Sequence, residues 1–135
     1  MMAVEFIATE QTVAPGANLI FTATVPRRGV YAVRQREGSG LIEFRPMQCK
    51  APVVVRFSGN MSIPTGGTVE EITAALALNG EPLASSVMAV TPAAVENRFN
   101  VSAQAVIWDV GCGDTVTVRN TSDQAITLGG NVIIE

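Results

Sequence analysis

Residues that could carry out catalysis are few in this sequence. It contains no histidine, which excludes every mechanism that needs an imidazole base, nucleophile or metal ligand. Glu70 and Glu71 are adjacent, so on a strand they point to opposite faces and cannot act as the paired carboxyl groups of a glycosidase. Gly38-Ser39-Gly40 lacks the Gly-x-Ser-x-Gly spacing of a nucleophile elbow. We therefore expect no enzymatic activity and no cofactor, and a cupin-like metal enzyme is the least favoured alternative.

Metal-ligating residues are equally sparse. Cys49 and Cys112 are the two cysteines, and without histidine they supply at most half of a tetrahedral zinc shell. They could form a disulfide, although two cysteines in a chain without a secretion signal are more often reduced. Asp109, Asp114 and Asp123 flank predicted turns, where aspartate is common because of turn geometry, and a calcium site in these loops is the alternative. We expect no bound metal ion.

The charge pattern does not fit a nucleic-acid-binding protein. The net charge is −3, and charged residues are 16% of the chain, against about 25% in a typical soluble domain. The dense positive spots, Arg27-Arg28 and Arg34-Gln35-Arg36, are assigned to a solvated turn and a strand edge. No run reaches the ~18 apolar residues of a membrane span, and residues 1–10 do not resemble a secretion signal. We expect no nucleic-acid partner and no membrane insertion.

Short apolar runs alternate with turn residues along the chain, which is typical of an all-β sandwich. The clearest alternation is Phe99–Ile107, and Asn79-Gly80 is a strong hairpin signal that joins residues 68–78 to residues 82–90. Ser58–Gly67, rich in glycine, is predicted to be a loop. Other strands are predicted at residues 4–8, 19–25, 30–34, 41–45, 53–57, 115–119 and 125–134. We predict a single domain over residues 1–135 with about ten strands in two sheets.

The segment Thr68–Leu78 fits two structures. Thr68 and Glu71 have the spacing of a helix capping box, and Ile72 and Leu76 would share one helix face. The same segment also has an apolar stripe of period two, and a hairpin turn follows it. We predict a strand.

Several outward positions of these strands are not polar. Val106 and Trp108 occupy such positions near the end of residues 97–108, and Ala75 and Ala77 occupy them in residues 68–78. Further apolar residues on the outward side are Ile7, Ile20, Val33 and Val54. Burial of apolar area contributes roughly 25 cal/mol per Å², so an exposed patch of this kind favours association. We expect a homo-oligomer with Trp108, Val106, Ala75 and Ala77 in the contact between subunits.

Six stretches of the sequence resemble a family of small proteins from Gram-positive gut bacteria and their phages. They are REGSGL (36–41), VRFSGNMSIPTGGT (55–68), ALNGEP (77–82), VTPAA (90–94), FNVS (99–102) and VRNTS (118–122). That family is associated with the jelly roll of tumour necrosis factor and the complement globular head. The resemblance implies a ten-stranded jelly roll that assembles as a compact trimer through its flat apolar sheet.

The resemblance implies a non-enzymatic structural or adhesive trimer, such as a phage or prophage virion decoration or fibre head. The alternative is a soluble module that binds carbohydrate or, like a cytokine, a receptor. We therefore expect an extracellular or virion protein whose partners are other copies of itself and virion proteins, a cell-surface glycan or a receptor. Candidate binding residues in the predicted loops are Arg27, Arg28, Ser39 and Asp114.

Overall fold

The structure is a computed structural model that describes residues 4–25, 33–36, 40–44, 51–110 and 113–135. Eleven strands lie in these ranges. They are β1 (Val4–Val13), β2 (Ala23–Val25), β3 (Val33–Arg36), β4 (Leu41–Phe44), β5 (Ala51–Ser62), β6 (Ile72–Leu78), β7 (Glu81–Pro82), β8 (Met88–Val90), β9 (Phe99–Val110), β10 (Thr115–Asn120) and β11 (Ile126–Ile134). A short 3₁₀ helix covers Ala84–Ser86. None of the described helical residues forms a segment long and apolar enough to cross a bilayer.

The strands form two antiparallel sheets, which confirms the predicted two-sheet sandwich. The first sheet has the order β2-β1-β11-β5-β9, and the second has the order β3-β4-β10-β6-β7, with β8 also paired to β6. The first and last strands of the chain are neighbours, since Val4 pairs with Ile134. Four further pairs, β5–β11, β5–β9, β4–β10 and β6–β10, also join strands far apart in sequence, as expected for a sandwich rather than a chain of hairpins.

The core lies between the two sheets and contains the inward side chains that alternation predicted. Phe57 of β5, Leu76 of β6 and Leu128 of β11 have almost no exposed area. The rings of Phe6 and Phe21 are tilted against each other, with centroids 6.0 Å apart. Because both sheets present aliphatic side chains on alternate residues, their inner faces interlock in a core of apolar side chains.

The predicted hairpin at Asn79-Gly80 is confirmed. Asn79 has φ 51° and Gly80 has φ 87°, the left-handed pair that a tight hairpin turn requires. Leu78 pairs with Glu81 across the turn. The carboxamide oxygen of Asn79 also accepts the N–H of Thr115 at 3.0 Å, which ties the turn to the next strand of the sheet. The ambiguous segment is therefore a strand over its second half, from Ile72 onward.

The predicted strand over residues 82–90 is wrong in its middle. β7 ends at Pro82, and the chain makes a 3₁₀ turn before β8 begins at Met88. In the gap, the hydroxyl oxygen of Ser86 accepts the N–H of Leu76 at 3.0 Å. The Leu83 N–H donates to the Leu76 carbonyl at 2.8 Å. A side-chain hydroxyl and one backbone group thus replace the missing strand pairing along the edge of β6.

The predicted loop over residues 58–67 is also wrong in its first half, because β5 continues to Ser62. Gly59 suggested a turn, but it lies inside the sheet. A Cβ at this position would stand 2.0 Å from the carbonyl oxygen of Gly129 on the neighbouring strand. The glycine therefore marks a close approach of two backbones and not a change of chain direction.

The predicted strand over residues 19–25 is correct only at its end. Leu19 and Phe21 are buried as expected, but Ala23 is exposed and regular pairing begins only there. Before that point, the side chain of Gln11 binds the backbone of Ile20, where a neighbouring strand would otherwise do so. Its Nε2 donates to the Ile20 carbonyl at 2.9 Å, and its Oε1 accepts the Ile20 N–H at 2.9 Å. β1 has a bulge between Ala8 and Gln11, next to these two hydrogen bonds.

Candidate functional site

The outer face of the first sheet carries an exposed apolar patch. Trp108 is 72% exposed and Val106 is 45% exposed, and both lie on β9 at the edge of the sheet. Val54 of β5 pairs with Val106, and Ile133 of β11 lies one row away, opposite Arg56. We call Val54, Val106, Trp108 and Ile133 the apolar end of this face. Because Trp108 packs little against its own chain, most of its side chain is available to contact another molecule.

Ala75 and Ala77 do not belong to this surface, which corrects the predicted subunit contact. Both lie on β6 in the second sheet and have no exposed area. Arg119 pairs with Ala75, and its guanidinium donates to the Gly80 carbonyl at 2.6 Å, so its side chain extends along this face towards the hairpin. The neighbouring Thr117 is only 2% exposed. The chain itself covers this part of the second sheet, so these alanines are not available to another subunit.

A second region on the outer face of the first sheet consists of amides and hydroxyls. Its side chains belong to Ser58 and Asn60 of β5, Asn100 and Ser102 of β9, and Asn131 of β11, and we call these five residues the amide tier. Ser58 pairs with Ser102 and Asn60 with Asn100, while Asn131 pairs with Ser58. They surround a shallow hollow of about 500 Å³ whose floor includes Gly59 and Gly130.

The amide tier has unused hydrogen-bonding capacity. Asn131 donates to the Glu5 carboxylate. Within the described part of the chain, the side chains of Asn60, Asn100, Ser58 and Ser102 make no hydrogen bond to another residue. All four are exposed to solvent in a single copy of the chain. These groups can therefore bind water, a polar ligand or polar groups of another protein.

Charge on the same face is scarce and partly neutralised. Arg56 forms an ion pair with Glu135, and Arg98 forms one with Glu10 at 2.8 Å. From Phe99 to Trp108 the edge strand β9 contains no charged residue. Charges on an edge strand normally prevent it from pairing with other chains, so a long uncharged edge favours cover by a partner.

A polar cleft of about 650 Å³ lies at the far end of the first sheet. Its lining residues are Glu10, Thr12, Ser62, Pro64, Thr65, Glu96, Asn97, Arg98 and Thr127. Glu96 has a left-handed backbone with φ 63°, and its N–H donates to the Ile63 carbonyl at 2.7 Å. Across the described ranges, no three His, Cys, Asp or Glu side chains are grouped as metal ligands.

The predicted binding loops are only partly described. Arg27, Arg28 and Ser39, like Cys49 and Cys112, lie outside the described residues. Asp114 is half-buried, and its carboxylate accepts the amide of Asn79 at 3.1 Å. Its backbone carbonyl accepts the N–H of Phe44 at 2.8 Å. Asp114 thus ties the β6–β7 turn and the end of β4 to the start of β10, and its binding role stays a prediction.

Known structures resemble this arrangement of sheets. The globular domain of zebrafish complement 1qA protein matches with TM-score 0.69 and 10% identity, over 100% of this chain and 96% of that one. Eiger TNF from S. frugiperda matches with TM-score 0.72 and 13% identity, over 98% and 90%. Murine APRIL matches with TM-score 0.67 and 11% identity, over 98% and 96%. The fold is a jelly roll of the tumour necrosis factor and complement globular-head type. No family model matches the sequence, and no curated protein matches it either.

The structure confirms the predicted jelly roll, while the amide tier was missed by sequence reasoning. Asn100 and Ser102 fall on the outward side of a predicted strand, but Asn60 falls in the predicted loop over residues 58–67. The available signal was the inward alternation of Val55 and Phe57, which continues through Gly59 to the buried Met61. If this alternation is followed, the predicted strand continues to Met61, and Asn60 falls on its outward side, as Asn100 does on its own strand.

Proposed function

We propose that the protein is a non-enzymatic module that forms a homotrimer through the outer face of the first sheet. The observation that carries this proposal is the exposed Trp108 beside Val106 on an uncharged edge strand. An aromatic side chain buries roughly 150–250 Å², and burial of most of that area contributes about 3–4 kcal/mol to a contact. The trimeric state is the one that the resemblance to the jelly-roll family implies.

The role we assign to the trimer is structural or adhesive. A trimer with a large covered sheet presents its loops and remaining faces outward, where they can bind a particle or a cell surface. A virion decoration or fibre head is the specific form of this role that the sequence resemblance favours. The similarity of fold supports a ligand or structural module and carries no evidence for catalysis.

The proposal is tested by the mass of the protein in solution. Trp108→Arg places a charge in the proposed contact, and Val69→Arg places the same charge at a loop residue that is 50% exposed. We expect light scattering and sedimentation velocity at micromolar concentration to give a trimer for the natural chain and for Val69→Arg, and a folded monomer for Trp108→Arg. A natural chain that is monomeric, or a Trp108→Arg variant that keeps the trimer mass, would contradict the proposal.

Carbohydrate or receptor binding is a second candidate function, favoured by the polar cleft. Hydroxyls of Thr12 and Thr127 lie beside the ion pair of Arg98 with Glu10, a combination that suits sugar hydroxyl groups. A glycan array and a cell-binding assay would test it. We expect Arg98→Ala to reduce any binding at least about tenfold if the cleft is used. Absence of binding to all glycans and cells tested would remove this candidate.

A further inference from the structure

We infer that the amide tier fixes the direction in which copies of the chain associate, so that only copies with parallel strands fit together. The inference rests on the proposed association through the outer face of the first sheet. The apolar end supplies most of the attraction in that contact. The amide tier decides which of the possible arrangements is adopted.

The two regions occupy different heights on the same strands. Ser102 in the amide tier and Trp108 in the apolar end are both outward residues of β9. At about 3.3 Å per residue, they are roughly 20 Å apart along the strand. When two copies pack with their strands in the same direction, amide tier therefore meets amide tier and apolar end meets apolar end. When one copy is reversed, the amides of each face the valine and tryptophan side chains of the other.

The unused hydrogen-bonding groups make these two arrangements unequal. Asn60 and Asn100 make no side-chain hydrogen bond within the described part of the chain. In the parallel arrangement, they can bond to equivalent groups of the next copy. In the reversed arrangement they are buried against apolar groups, and each amide without a partner lowers the population of that arrangement by roughly tenfold. A buried asparagine that selects one arrangement at some cost in stability is a known device in coiled coils.

The shape of the tier permits this close contact. Gly59 and Gly130 form part of the floor of the hollow, and no large side chain lies among the residues that surround it. A Cβ at Gly130 would stand 2.3 Å from the Ser58 carbonyl oxygen, so the two strands approach closely here and the floor consists of backbone. The hollow can therefore admit the serine and asparagine side chains of a neighbouring copy.

The test combines native mass spectrometry with spin-label distances. In a Cys49→Ser, Cys112→Ser background, Thr12→Cys carries the label at the end of the sheet far from Trp108. The chain with its natural amide tier should be a trimer with one short distance population. Asn60→Val with Asn100→Val should still associate, but should add a second, longer distance population and other oligomers. Asn97→Val makes the same chemical change outside the tier and should behave like the natural chain.

The outcomes separate this inference from the proposed function. A valine variant that keeps one distance population and only trimers overturns the inference and leaves the trimer proposal standing. A natural chain that is monomeric overturns both. If the valine variant does not fold, the single change Asn100→Val on the edge strand provides the same comparison. Asn60→Ser with Asn100→Ser keeps hydrogen-bonding groups in the tier and should restore the single population, and its failure to do so would also count against the inference.

Discussion

The outer faces of the two sheets are built from similar residues but lie in different environments. On the second sheet, Ala75, Ala77 and Thr117 are at most 2% exposed within a single chain. On the first sheet, Val106 and Trp108 remain 45% and 72% exposed. Both sets of residues are uncharged and occupy outward positions of a strand. The second face is covered by its own chain, whereas these side chains of the first face stay exposed in a single copy.

Asparagine side chains in the two sheets also differ in burial and in hydrogen bonding. Asn120, in the second sheet, is fully buried, and its Nδ2 donates to the carbonyls of Val13 and Gln124, each at 2.9 Å. Asn60 and Asn100 of the first sheet are exposed, and their amides make no such bonds in the described structure. A buried amide whose hydrogen bonds are satisfied within the chain contributes to folding. An exposed amide without such bonds is available to bind other groups.

The largest effect is expected when a charge is placed on each face in turn. In a Trp108→Arg background, which is expected to be monomeric, Ala77→Glu should destabilise the fold by about 4 kcal/mol or more, because a carboxylate would be buried without a partner. Val106→Glu should change the free energy of unfolding by less than about 1 kcal/mol, because its side chain stays in water. Urea denaturation followed by circular dichroism measures both. Equal stability of the two variants would contradict the difference between the faces.

The next effect concerns the two kinds of asparagine. Asn120→Leu removes two donated hydrogen bonds and the one that its Oδ1 accepts from the Ser122 N–H at 2.8 Å. We expect a loss of about 3 kcal/mol, because each buried group left unpaired costs about 1 kcal/mol or more. Asn60→Leu, measured in the same monomeric background, should cost less than about 1 kcal/mol. If the two substitutions cost the same in denaturant titrations, the assignment of Asn120 to folding is wrong.

A smaller effect is expected at the edge of β6. Ser86→Ala leaves the Leu76 N–H without the hydroxyl that it bonds at 3.0 Å, which should cost about 1–2 kcal/mol. Ser85→Ala is a matched control, since Ser85 is exposed in the same 3₁₀ turn. Thermal unfolding should show a lower midpoint for Ser86→Ala only. Hydrogen exchange of the Leu76 amide should also become faster in that variant.

The smallest effect is expected at Thr117. Its hydroxyl is buried and has no hydrogen-bond partner among the described residues. Thr117→Val keeps the shape of the side chain and removes the unpaired hydroxyl, so stability should rise by up to about 1 kcal/mol. Thr115→Val, at a half-buried position of the same strand, should change stability less. A clear loss of stability in Thr117→Val would show that the hydroxyl has a partner after all.

Alternation and turn chemistry were sufficient to predict much of the sandwich. The period-two pattern of Phe99–Ile107 follows from one face packing on the core, and Asn79-Gly80 carries its turn geometry in two residues. Gly59 misled the prediction because a glycine that allows two backbones to approach looks the same in sequence as one that allows a turn. Only the position of Gly129, seventy residues later, distinguishes the two cases.

The candidate site was predicted only in part for a similar reason. A small uncharged residue on the outward side of a strand fits a face covered by the same chain as well as a face covered by another copy. For Trp108 the size of the side chain favoured the second case. For Ala75 and Ala77 the decision depended on cover by parts of the chain that are distant in sequence, such as the side chain of Arg119.

The pairing of Val4 with Ile134 has a consequence for how the chain acquires its shape. The strand pair β1–β11 sits within the first sheet, so that sheet cannot be completed until segments from opposite ends of the sequence have met. Such distant pairing makes folding slow, in the range of milliseconds to seconds, whereas the β6–β7 hairpin is local and closes in microseconds. The outer face of the first sheet, which we propose as the surface of association, is therefore completed late in folding, and copies that meet earlier lack that complete surface.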